Sequence, residues 1–460
     1  MAIIDDLIQI VGPERASDDK TVRYAYSRDS SFITGLPDYV VRPVSTEEVA
    51  KIVSLASQHR IPIVPRGNGS GMEGGCVPLH GGIVLDMHNM DKILEVDTGS
   101  LYAVVEPGVI HAHLNARLGE QGFFFAPDPA STDFCTIGGM IGTNASGMTC
   151  LKYGDTRKSV LGLEVVLPDG TVINTGAKTV KSDCGYNLTA LIVGADGTLG
   201  VVTKAILKII PRPRARATVT AYFDEVEKIE EAVASIFANG IIPAACELLD
   251  RPVIRIINRY KPEIALPDVD AILIFNLEGS AAAVEEEVDG VVSSCKKAGA
   301  IEVKAAATKE EADALWEGRR SVGSAIYRLD PQKAGPNIGG DYGVPIRRLA
   351  EMLREVRRIA EESGITMVAF GHVGDGNLHT HMAVNVLDEE ELARAEKAGD
   401  AIYEAALKLG GTTTPEHGIG AAKIRWVREE SKSAYPLMRA IKKVFDPQNI
   451  MNPGKIFEIS

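Results

Sequence analysis

The chain has 460 residues, enough for two or three domains at about 100–200 residues each. Its 49 Lys and Arg against 62 Asp and Glu leave a formal charge of −13 with no basic block, which excludes nucleic acid and anionic membrane as main partners. Hydrophobic residues at 45% and charged residues at 24% exclude wholesale disorder, while 45 glycines, about one in ten against a usual ~7%, demand many turns or close approach of main chain to a ligand.

The opening MAIIDDLIQIVG has no basic leader and carries Asp5 and Asp6, so a secretory signal is not expected. No apolar run approaches the ~20 residues that span a bilayer. Residues 40–64 predict a short strand, a helix opened by a Ser45/Glu48 capping box, and another short strand. From 65 to about 205, short β-branched runs (GIVLDM, YAVVEP, LEVVLP, TVINTG, GVVTKAILKII) alternate with Gly-rich turns, the texture of an α+β sheet domain. PRPRARA at 211–217 reads as a domain junction. Beyond it, IEEAVASIFANG and AAVEEEVDGVVSSCKKAG are helical by period, and AILIFNLEG and IEVKAAA extended. VPIRRLAEMLREVRRIAEESG predicts a long amphipathic helix running into the strand ITMVAFGH. GNLHTHMAVNV alternates as a strand, LDEEELARAEKAGDAIYEAALKLG is a further helix, and the tail FDPQNIMNPGKIF folds back as coil and short strand. The six cysteines (76, 135, 150, 184, 246 and 295) form no CxxC pair, which points to thiols in a reducing cytoplasm rather than a zinc ribbon, an iron–sulfur site or a disulfide framework.

GSGMEG at 69–74 matches GxGxxG, but a Rossmann site needs a helix starting at the loop to hold the pyrophosphate. GCVPLHGGIVLDM follows instead, and its proline and further glycines forbid that helix. No GxxxxGK[ST] loop exists either. Three separate Gly-rich loops remain: PRGNGSGMEGG (65–75), PDPASTDFCTIGGMIGTNASG (127–147) and GADGTLGVVT (194–203). Their exposed amides suit an extended, phosphate-bearing cofactor clasped from several sides.

These three ordered motifs resemble the FAD-binding domain of the vanillyl-alcohol oxidase and p-cresol methylhydroxylase type over roughly residues 35–215. In that family the first loop holds the pyrophosphate and the second runs along the pyrophosphate and flavin ring. Carried onto this chain, the resemblance implies flavin contacts at Pro65, Arg66, Gly67, Asn68, Gly69, Ser70 and Gly71 in the first loop. In the second it implies Pro127, Ser131, Thr132, Gly138, Gly139, Gly142, Asn144, Ser146 and Gly147; in the third, Gly200 and Val202; in the tail, Asn452. Covalent members carry histidine near the end of the first loop. Ser70 stands there and His80 lies too far along, so non-covalent FAD is expected.

Four of the nine histidines fall in two C-terminal motifs. GHVGDGNLHTH (371–381) puts His372 at a strand end, a GDG turn next, and His379 and His381 on one face of the following strand. PEHGIG (415–420) adds Glu416 and His417. Two imidazoles and a carboxylate make a ligand set for Zn²⁺, Mn²⁺ or Fe²⁺ with an open position. The same residues could instead satisfy backbone in a Gly-rich turn, or supply a histidine base without metal.

GHVGDGNLH, PEHGIG and the closing MNPGKIF resemble the D-lactate dehydrogenase and glycolate oxidase D-subunit branch, which includes D-2-hydroxyglutarate dehydrogenases. The resemblance implies His372, His379 and Glu416 as metal ligands and His417 as base. LWEGRR (315–320) is similar to the branch's Trp-x-x-Arg element, which makes Arg319 the anchor of the substrate carboxylate, with Arg320 the alternative. Relatives acting on dicarboxylates carry a lysine just before the DxxxP stretch and an asparagine two residues after the second histidine. Here Gly339 and Gly340 precede Asp341, and His381 replaces the asparagine, which favours a small monocarboxylate and places His381 against the substrate.

The expected architecture is therefore α+β: a two-part FAD-binding domain (1–215), a ferredoxin-like α+β cap (216–410), and a C-terminal segment (411–460) returning to the flavin. The expected reaction is FAD-dependent oxidation of D-lactate, or next glycolate, in the cytoplasm or at a membrane periphery through a partner. Electrons would pass to a separate acceptor: an electron-transferring flavoprotein, an iron–sulfur subunit or a quinone-linked chain. A non-catalytic flavin-carrying subunit of a larger complex and an FAD oxidase of alcohols or phenols are the competing readings.

Overall fold

The computed structural model describes residues 3–458 except 327, 329–331, 334, 336 and 337. It divides into two units, one formed by Met1–Gly147, Gly154–Arg212 and Glu416–Ser460, the other by Met148–Tyr153 and Pro213–Pro415.

In the first unit, the helix Thr46–His59 starts where the sequence places it. Ser45 Oγ accepts from Glu48 N at 3.3 Å, while the Glu48 carboxylate accepts from Val44 N and from both Nη groups of Arg15. That helix lies in chain order between the strands Tyr39–Val41 and Ile63–Arg66, each of which pairs parallel with Ile83–Asp86, and Ala16–Ser17 adds an antiparallel edge. Parallel strands need such a crossover. The second sheet is a five-stranded antiparallel array in the order Ile93–Asp97, Tyr102–Val105, Val201–Lys208, Val160–Val166, Val172–Gly176. Val201–Lys208 alternates buried and half-buried residues along its length, the period of a strand with one face in the core. No helix follows GSGMEG, and the chain stays irregular until Ile83, so no Rossmann crossover exists there. The tail returns to this unit. Met451 bridges Ile63, and Ile450 and Met451 are buried in the core beneath the helix Thr46–His59.

The second unit is built on a seven-stranded sheet whose recorded pairings are all antiparallel. Ala215–Phe223, helix Lys228–Ala238, Ala245–Asp250, Ala271–Gly279, helix Ala281–Lys297 and Glu302–Ala305 run β-α-β-β-α-β. Their spatial order is fourth, first, third, second, the ferredoxin-like arrangement. Thr366–His372, Asn377–Ala383 and Tyr342–Gly343 extend the sheet beyond Ala245–Asp250. One face is covered by the helices Arg251–Tyr260 and Val322–Ile326, which bury Val253, Ile254 and Ile257 against Leu249, Ile272 and Phe370. Among the described residues, no helix is long and apolar enough to cross a membrane.

Candidate functional site

The three Gly-rich loops converge in the first unit around a cavity of about 1540 Å³, including its open mouth. Walled by three loops that lie far apart in sequence, it suits an extended dinucleotide. Pro65, Arg66, Gly67, Asn68, Gly69, Ser70 and Gly71 all line it, as do Ser131, Gly138, Gly139, Gly142, Ser146, Gly200 and Val202. A Cβ at Gly142 would meet no atom within 4 Å, so main chain there borders open space, as a planar ring laid along it requires.

The second loop is not all coil: Ile137–Thr143 forms a short helix capped by Thr136, whose hydroxyl accepts from Gly139 N at 3.2 Å. Five expected flavin contacts lie outside the lining. Thr132 bonds its hydroxyl to His111 Nδ1, and Asn144 ends the short helix at φ 57° with its amide on Asp155. Gly147 packs against the Asp128 carbonyl, Asn452 donates to Gly75 O at 2.8 Å, and Pro127 lies two residues before the lining Pro129.

Residues that the motifs left unmarked also reach the cavity. Glu73 is buried, with Oε1 3.7 Å from His417 Nδ1 and 3.5 Å from Lys423 Nζ. Asp196 accepts from Gly420 N at 2.9 Å, and burial pushes its carboxyl up to about 6. Glu416, His417 and Gly420 line the same cavity as the loops, so the PEHGIG motif from Glu416 onward belongs to the flavin unit.

In the second unit the turn Val373–Gly376 reverses the chain and brings His372 and His379 together, ring centroids 5.2 Å apart and edge to face. His381 follows on the same strand, half-buried, its ring 5.1 Å from that of Phe370. Asp341 is wholly buried, 3.8 Å from His379 Nδ1, and accepts from Asn377 Nδ2 at 3.1 Å. His372 and His379 are thus neighbours in this unit and Asp341 approaches His379; imidazole and carboxylate are the donor types that suit a borderline divalent metal.

Arg319 closes the helix Lys309–Arg320 with its guanidinium 4.9 Å from the Phe370 ring centroid. Its Nε donates to Glu247 Oε2 at 2.7 Å, whereas Arg320 is exposed beside Glu317. The other Glu247 oxygen is 2.7 Å from His372 Nδ1. Burial pushes the Glu247 carboxyl up, but His372 and Arg319 outweigh it and hold the group below the usual carboxylate range. Sequence reasoning missed Glu247 and the strand that carries it. An acid inside the apolar run ACELLD is the only trace it leaves.

Fold and cavity together define an FAD-binding protein of the p-cresol methylhydroxylase type. A family model described as an FAD binding domain matches residues 37–176, and one described as the C-terminal domain of FAD linked oxidases matches 212–456. The chain is 42% identical to the glycolate oxidase subunit GlcD of Bacillus subtilis (strain 168) over 98% of this chain and 96% of that one. It is 36% identical to a D-lactate dehydrogenase of Archaeoglobus fulgidus over 91% and 90%. The solved structure of p-cresol methylhydroxylase superposes with a TM-score of 0.80 at 18% identity, covering 99% and 96% of the two chains. The chain belongs to the FAD-linked oxidases and is an FAD-linked oxidoreductase of the glycolate oxidase GlcD and D-lactate dehydrogenase type.

Proposed function

We propose that the protein oxidises a small D-2-hydroxy acid, D-lactate first and glycolate next, to the 2-oxo acid. The observation that carries this reading is Arg319: a guanidinium clamped at Nε by a buried carboxylate, beside the histidine pair of the second unit. Among the described residues its two Nη groups make no hydrogen bond, and this edge of the fork matches a substrate carboxylate bidentately. His381, half-buried against Phe370, narrows the room beside the pair and favours a short acid over a dicarboxylate.

When bound, FAD supplies the acceptor for the hydride that leaves C2, and a divalent metal supplies Lewis acidity toward the substrate oxygens. His372 and His379 would hold that metal, with Asp341 as a carboxylate at hand in the same unit and Glu416 as the ligand implied by the family resemblance. His417, on the wall of the flavin cavity with Glu73 Oε1 3.7 Å from its Nδ1, takes the hydroxyl proton as base. FAD is held without a covalent bond, since Ser70 stands in the first loop where a histidine link would form. Relatives named as a subunit support onward transfer of electrons to a separate protein.

The test is the His417→Ala enzyme mixed anaerobically with D-lactate. It should purify yellow with a full complement of FAD yet fail to bleach, whereas bleaching at the wild-type rate would sink the assignment of the base.

A further inference from the structure

Glu247 belongs to none of the motifs that carry the reading above. It sits third in the strand Ala245–Asp250, directly opposite His372 on Thr366–His372, and its side chain is 0% exposed. A lone carboxylate so buried is costly unless its lone pairs are taken up. Both oxygens are committed, Oε1 to His372 Nδ1 and Oε2 to Arg319 Nε, each at 2.7 Å. An ionised carboxylate offers only acceptors, so both partners must donate. The Nδ1 proton of His372 then points at Glu247, and the ring's lone pair stands on Nε2, the nitrogen able to bind a metal. Arg319, fixed at Nε, cannot swing about its long stem, and its Nη edge holds one orientation.

We propose that Glu247 is a positioning residue, one buried carboxylate that sets the metal-binding tautomer of His372 and aims the carboxylate-binding edge of Arg319. This inference rests on the metal-assisted reading and extends it to a residue outside the motifs.

Glu247→Gln makes a sharp test because it keeps the shape and changes the donor pattern. Arg319 Nε still needs an acceptor, so the amide oxygen turns to it and the amide NH₂ faces His372. Nδ1 must then accept, and the proton moves to Nε2. Full-length flavoprotein, treated with chelator and then dialysed against Mn²⁺ or Zn²⁺ alone, should bind metal at least ~10-fold more weakly in Glu247→Gln than in wild type. His372→Ala should lose the metal as well, and FAD content should be unchanged in both. Wild-type metal affinity in Glu247→Gln, with binding lost in His372→Ala, would overturn the role of Glu247 and leave the metal reading standing. A wild type that binds neither ion would remove both. Should Glu247→Gln purify without FAD, Glu247→Asp takes its place: its shorter side chain reaches only one partner. Either metal binding or KM for D-lactate should then worsen at least ~10-fold, and no change in either overturns the inference.

Discussion

Burial pushes the Asp250 carboxyl from its ordinary 3.8 up to about 7. The group accepts from Val253 N at 3.0 Å, capping the helix Arg251–Tyr260, and from Ala369 N at 3.3 Å on the neighbouring strand. Between pH 4 and 7 the folded chain keeps a proton that the unfolded chain has released. Its contribution to stability is therefore full below about 4 and is lost as pH rises through about 7. Each pH unit in that window costs up to about 1.4 kcal/mol. Asp250→Asn should flatten the fall in melting temperature between pH 4 and 7; an unchanged slope would place that dependence elsewhere. Arg319→Lys should keep FAD and raise KM for D-lactate at least ~10-fold, because an ammonium cannot hold Glu247 and present a fork together. Steady-state kinetics at saturating metal checks this. At this scale the sequence was uneven. Arg319 and the histidines announce themselves by motif, whereas Glu247 and Asp341 become informative only when neighbouring strands and loops bring them to Nδ1 atoms far away in sequence.

Local pattern predicted most elements because their signals are local. The capping box starts Thr46–His59, period-2 alternation marks Val201–Lys208, and the 3.6-residue period marks Leu349–Ser363 and Glu389–Lys408. The strand Ala245–Asp250 escaped because it is buried along its whole length and shows no alternation. The short helix Ile137–Thr143 escaped because its glycines read as loop. Two loops meet where that helix begins. A Cβ on Gly67 would lie 2.1 Å from Thr136 Oγ1, the hydroxyl that caps it. Gly67→Ala must therefore displace the cap, at about 1 kcal/mol, and shift one wall of the flavin cavity. The variant should purify with the far-ultraviolet circular dichroism of the wild type and at least ~10-fold weaker FAD binding, roughly 1.4 kcal/mol, measured by flavin release.

The flavin unit is assembled from chain segments that lie far apart in sequence, and its closing piece is the tail. Ile450 and Met451 are buried beneath Thr46–His59, Asn452 N donates to Ile63 O at 2.7 Å, and Lys455 Nζ donates to Val77 O at 2.8 Å. Full burial of each such apolar side chain contributes about 1.5–3 kcal/mol. A chain ending at Phe445 should therefore lose several kcal/mol and retain little FAD, which urea unfolding and the flavin-to-protein ratio will show. By itself the sequence determined that three Gly-rich loops suit an extended cofactor, that no Rossmann crossover follows the first of them, and that His372 and His379 meet across a tight turn. Each of these depends on residues adjacent in sequence, where backbone freedom and side-chain period act directly. The tertiary structure alone decided which side chains serve those motifs: Glu247 on His372 and Arg319, Asp341 near His379, Glu73 beside His417. A buried carboxylate is tolerated only where donors surround it, and those donors arrive from strands and loops whose pairing no local pattern encodes.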